Sequence, residues 1–227
     1  MDASRKGPRR LRVVVAAGAV LAVLLVGASV GLLVQLPGRE AAVPGADSVD
    51  VGFSQDMGVH HRQGVLMAGI VRDATTDQEI ATLAYDIELT QQEQLGRMQG
   101  WLSLWDAAPL PTGQHMRWMV DSGVGGAAHA GHGASGGVEV MPGMASPSEI
   151  QRLRDLSGPA QDVLFLQLMT RHHQGGAGMM EQAAARAQVP QVRNLAAQMP
   201  TAQTAEIVAM TEMLEDRGAQ PLAPPGA

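Results

Sequence analysis

The chain has 227 residues, 14 of them methionine and none cysteine, and a formal net charge of −6. The lack of cysteine excludes disulfides and thiolate metal sites, and aromatics at only 3% leave Leu, Ala, Val and Met to build a core, which suits packed helices better than a sheet. The first twelve residues take five of the 16 bases and one of the 22 acids, so residues 13–227 carry 11 bases against 21 acids, and this net of −10 argues against a nucleic-acid partner.

Residues 1–12 form a basic tail containing Arg5, Lys6, Arg9, Arg10 and Arg12. An uncharged apolar run follows from Val13 to Leu36. As a helix its 24 residues span roughly 36 Å, against a hydrocarbon core of about 30 Å. The run exceeds the apolar region of a typical cleaved signal peptide and lacks a clean Ala-x-Ala site, so it reads as an uncleaved transmembrane anchor. Its basic end places the N-terminus in the cytoplasm. The expected protein is single-pass in the cell membrane, with an extracytoplasmic domain; a long signal peptide, the alternative, puts the domain on the same side.

Residues 37–50 are a Pro/Gly/Ala linker, and residues 51–217 one domain of ordinary size. Its first helix is expected over about Val51 to Asp73. Thr76-Asp-Gln-Glu79 reads as a capping box that starts a second helix reaching about Trp105. Residues 106–145 are rich in Gly, Pro, His and Met and read as an irregular connector. Ser146-Pro147-Ser-Glu149 opens a short helix with Pro at its first position. Two further helices are expected over about Pro159 to Ala187 and Pro190 to Asp216, the last ended by Gly218 and kinked at Pro200. Residues 218–227 are expected to be a disordered tail.

The helices form a repeat. Phe53-Ser-Gln-Asp-Met57-Gly-Val-His60-His61 recurs 112 residues later as Phe165-Leu-Gln-Leu-Met169-Thr-Arg-His172-His173. The register holds onward, matching Leu83 with Leu195, Gln91 with Gln203 and Met98 with Met210. Each hairpin is too small to bury its apolar stripe alone. The expected fold is therefore all-α, an antiparallel four-helix bundle made of two repeated hairpins.

Helical spacing puts Met57, His60, Gly64 and Met67 on one face, and Met169, His172, Gly176 and Met179 on its counterpart. His61 and His173 lie at the edge of that face. Paired imidazoles and thioethers point to a metal site, and soft neutral sulfur favours Cu(I), with Ag(I) as a surrogate. A di-iron bundle places Glu three residues before its histidines, where this chain has Met57 and Met169. Gln91, Gln94, Gln203 and Glu206 on the facing helices suit hydrogen bonding to imidazole N–H groups, with Glu206 also a candidate ligand. Met180, Met98 and Met210 extend the candidate set. So do His129, His132, Met141 and Met144 of the connector, which also holds His115, Met116 and Met119. Methionine at helical spacing equally serves as core filler, and four buried imidazoles can form a purely structural polar network.

The two Phe-x6-His-His segments resemble the domain of unknown function 305 family. So do the helices reading Leu-Ala-x-x-Ile/Met-x-x-x-Gln-x-x-Gln/Glu-Leu/Ile-x-x-Met. The resemblance covers roughly residues 48–217, including Met141-Pro-Gly-Met144. It implies a ferritin-like bundle, exported, in a family some of whose members are associated with copper binding and copper tolerance. It also places His60, His61, His172, His173, Met57, Met67, Met169 and Met179 at motif positions, with Gln94 where Glu is common. The expected function is non-enzymatic sequestration or delivery of copper, with an envelope copper-handling protein as partner. A metal-free helical interaction module is the alternative, and a copper-dependent oxidase a third reading.

Overall fold

The computed structural model describes residues 7–35, 43–120 and 136–224. Among them the regular structure is helical: α1 (Gly7–Gln35), α2 (Val49–Arg72), α3 (Gln78–Leu104), α4 (Arg117–Val120), α5 (Pro147–Asp155), α6 (Pro159–Arg186) and α7 (Pro190–Asp216). The chain separates into two units, Met1–Val43 and Pro44–Ala227. The first unit contains α1, whose Arg12–Ser29 stretch is long and apolar enough to cross a membrane, with a mean hydropathy of 2.2.

The second unit is the bundle. α2 packs on α3 and α6 on α7, and the two hairpins meet through α2 and α6. Those central helices run antiparallel, because Met57 shares a cluster with Met179 while Met67 shares another with Met169. Each repeat thus supplies one long inner helix and one outer helix. Phe53 and Phe165, equivalent in the repeat, are fully buried at opposite ends of the inner pair.

Local chemistry sets the helix ends. Ser48 caps α2 by accepting from Val51 N. The N-cap of α3 is Asp77, one residue past the expected Thr76: its carboxylate accepts from the Glu79 and Ile80 amides. Thr75 and Ala74 are still bonded to the last turn of α2 through Val71 O. Ser146 and Glu149 form the expected capping box on α5. At the start of α7, Val189 offers no side-chain cap. Asp50, buried on α2, accepts from the Gln188 and Val189 amides instead, at 3.1 and 2.8 Å, and its charge complements the helix dipole.

α7 runs as helix on both sides of Pro200, where a kink is expected from the missing N–H. Gly218, at φ +65°, closes it in a Schellman arrangement, with Ala219 N bonded to Leu214 O and Gly218 N to Glu215 O. Residues 219–222 depart from the disorder expected of the tail. Ala219 and Leu222 pack on the core, and Gln220 O accepts from Gln167.

The described residues of the connector include α4 and an antiparallel bridge between His115 and Val138, regular structure that the sequence reading does not expect. Its Met141–Ala145 segment lies directly on the inner helices. Gln63 of α2 grips Ala145 from both sides, accepting from its N–H and donating to its carbonyl. Gly175, the Gln63 equivalent on α6, admits the segment from the other side. A Cβ there would stand 2.1 Å from Pro142 O. A Cβ on Gly143, at φ +79°, would stand 2.5 Å from Arg171 O and 3.1 Å from His172 Cα.

Candidate metal centre

The four repeated histidines occupy the middle of the inner helix pair. By register they lie between the cluster of Met57, Met98, Met179 and Met180 and the cluster of Met67, Met169 and Met210. His60, His61, His172 and His173 are each no more than 1% exposed. The His60 and His172 rings stack with centroids 3.8 Å apart and planes 28° from parallel. His61 and His173 sit outside this stack, 6.5 and 6.2 Å from their sequence neighbours.

Hydrogen bonding gives all four rings the same tautomer. His173 Nε2–H donates to the Glu206 carboxylate at 2.6 Å, and His61 Nε2–H to Gln94 Oε1 at 2.6 Å. His172 Nε2–H donates to the His60 carbonyl at 2.9 Å and His60 Nε2–H to the Pro142 carbonyl at 3.4 Å. A carbonyl or carboxylate only accepts, so each Nε2 carries a proton, and a neutral ring then keeps its lone pair on Nδ1. All four Nδ1 atoms are buried without a hydrogen-bond partner. Fixing one imidazole nitrogen as a donor and leaving the other bare is how proteins prepare histidine to bind metal.

Burial disfavours the charged form of His60, His61 and His172. Burial, then the neighbouring His61, pushes His60 down to about 3. Burial lowers His61 to about 4 against the opposing Gln94 hydrogen bond. Burial and then His60 lower His172 well below its ordinary value. These three rings are neutral at pH 7.

The outer helices add unsatisfied amides. Gln91, on α3, has both side-chain polar atoms buried and unpartnered, as does Gln203 Oε1 on α7. A Cβ on Gly64 would fall 2.1 Å from Gln91 Oε1, and one on Gly176 would fall 3.4 Å from His60 Cε1. The two glycines remove bulk where amide and imidazole crowd the inner helices.

Among the described residues, no three His, Asp or Glu side chains group closely enough to hold one ion. The stacking explains this. Imidazole lone pairs lie in the ring plane, so near-parallel rings cannot aim them at one point. Buried thioethers flank the rings. Met57 stands three and four residues before His60 and His61, and Met169 likewise before His172 and His173, one turn away on the same face. Met57, Met67, Met98, Met169, Met179, Met180 and Met210 are all buried. The donor set therefore fits a soft ion that accepts mixed nitrogen and sulfur at low coordination number. Glu206 holds His173 Nε2, which places it behind the ring.

Of the connector candidates, Met141 is buried in the cluster with Met57, and Met144 is partly buried beside it. His129 and His132 lie outside the described residues. The repeat comparison misses three contributors to this region. The Pro142 carbonyl holds His60, Gln63 anchors the connector, and buried Asp56 accepts from His115 Nδ1, Met116 N and Trp118 Nε1. Asp56 has Leu168 as its repeat equivalent, so repeat matching passes over it, and a lone Asp on a buried face was the available signal.

A family model described as domain of unknown function DUF305 matches residues 50–214. Among solved structures, a DUF305 protein from Streptomyces coelicolor is 41% identical, with a TM-score of 0.69 over 79% of this chain and 99% of that one. A DUF305 fragment from Deinococcus radiodurans is 29% identical, with a TM-score of 0.60 over 76% of this chain and 99% of that one. CopM in its Cu(I)-bound form shares the fold at 20% identity, with a TM-score of 0.54 over 74% of this chain and 96% of that one. Among proteins with curated functions none matches.

Proposed function

The chain belongs to the DUF305 family, and from that premise we propose that it is a membrane-anchored, extracytoplasmic protein that sequesters or hands on Cu(I). The observation that carries the reading is the four buried and unpartnered Nδ1 atoms set among buried thioethers. Leaving such groups unsatisfied costs about 1–3 kcal/mol each, a penalty that a bound cation offsets. CopM, a structural neighbour, is known in Cu(I)-bound and Cu(II)-bound forms. The Streptomyces relative is described as secreted, which agrees with an exported domain carried on α1.

His60, His61, His172 and His173 would supply nitrogen through Nδ1, and Met57, Met67, Met169 and Met179 sulfur. Cu(I) exchanges among such neutral ligands without covalent chemistry. Gln94, Glu206 and the two backbone carbonyls keep each ring oriented, and the hydrophobic clusters exclude water.

The test is a Cu(I) titration against a competing chelator, beside a variant with His60, His61, His172 and His173 replaced by Ala. Tight stoichiometric binding that disappears in the variant supports the reading. Binding that survives moves the site elsewhere. No binding by either protein favours a metal-free interaction module.

A further inference from the structure

A second arrangement of histidine and thioether lies on the outer side of the Met141–Met144 turn. His115 borders a cleft of about 340 Å³ that is also lined by Glu139, Met141, Met144, Glu149 and Arg171. Its Nδ1 donates to Asp56 at 2.6 Å. Asp56 is itself buried on α2, one turn before His60, with its second oxygen taken by Met116 N and Trp118 Nε1. The carboxylate therefore fixes the ring through Nδ1 and leaves Nε2 as the nitrogen available to a metal. The His115–Val138 bridge brings exposed Glu139 alongside. Arg171 is spent on Glu149, which also caps α5, so the cleft offers no free cation to repel a metal.

We infer that this cleft is a capture site for Cu(I) or another soft monovalent cation, held by His115 Nε2 and the Met144 and Met141 thioethers, that feeds the buried histidines. The inference rests on the copper reading above for its destination but not for its ligands. The turn that carries both methionines also carries the Pro142 carbonyl against His60, and Met141 reaches the cluster containing Met57 and Met179. One segment thus borders both sites. Transfer between them is ligand exchange with no change of oxidation state. Asp56 is a positioning residue here, and Glu139 supplies negative charge at the rim.

The experiment is a Ag(I) titration of the full chain followed by NMR of histidine ring nitrogens and methionine methyls, paired with the rate of Cu(I) uptake from a chelator. Met144→Leu keeps the size of the side chain and removes its sulfur. His115→Gln keeps a donor for Asp56. The expected result is that His115 Nε2 and the Met144 methyl shift with the first additions. Met144→Leu abolishes the His115 response and slows Cu(I) uptake by about tenfold or more, because the ion is no longer concentrated beside its destination. The copper finally held by the buried histidines stays unchanged. A silent His115, or Met144→Leu and His115→Gln proteins that load at the parent rate, overturns the capture site. If His115 and Met144 respond while His60 and His172 stay silent, the capture site stands and the buried-site reading falls.

Discussion

At the scale of the residue, the account turns on which imidazole nitrogen is bare. Each Nε2 meets an oxygen and each Nδ1 has no hydrogen-bond partner, although the four oxygens differ in kind: an amide, a carboxylate and two main-chain carbonyls. Gln94 and Glu206 occupy equivalent repeat positions and do the same geometric work. Only the second adds a charge, so the two halves of the centre differ electrostatically. Burying neutral rings has a consequence for stability. The unfolded chain protonates its histidines below pH 6.5, while folded His60 and His61 resist protonation down to about 3 and about 4. The unfolded state therefore binds more protons as the pH falls, and stability present above pH 6.5 is lost on acidification. Each of these rings should cost about 2 kcal/mol between pH 6.5 and pH 5. Denaturant melts of the metal-free protein at pH 7.5 and pH 5 should show a clear drop at pH 5. Equal midpoints would mean that the rings are protonated or solvated in the fold.

At the scale of the element, the connector shows how a duplicated fold becomes asymmetric. Gln63 and Gly175 hold equivalent places on α2 and α6, yet one grips the Met141–Ala145 segment and the other makes room for it. A single chain crossing a twofold-like pair cannot meet both helices identically. Gly175→Ala puts a methyl 2.1 Å from the Pro142 carbonyl, which no side-chain movement relieves. The expected loss is about 2–3 kcal/mol of stability, read as a lower thermal midpoint, whereas Gly100→Ala, which meets nothing within 4 Å, should be harmless. Comparable midpoints for the two variants would show that the segment does not bear on α6. The helices themselves were legible from caps and periodicity, including the capping box at Ser146 and Glu149 and the stop at Gly218. What escaped had non-local causes. Asp50 caps α7 from 138 residues away, and the start of α3 shifted because Thr75 still belongs to the turn that ends α2.

At the scale of the molecule, the 112-residue repeat made the bundle and its histidine layer readable before any coordinates, since only a shared interior explains why both copies keep Met-x-x-His-His. The repeat could not reveal the stacking of His60 on His172, which depends on how α2 and α6 cross. That stacking sets the planes of the two central rings 28° from parallel. The acidic net charge of residues 13–227 suits a domain that attracts cations. The most direct test of the central claim is X-ray absorption at the copper edge on protein loaded with one equivalent of Cu(I). The account predicts a first shell containing both imidazole nitrogen and thioether sulfur. A shell of nitrogen and oxygen alone, or copper that washes out before measurement, would contradict it.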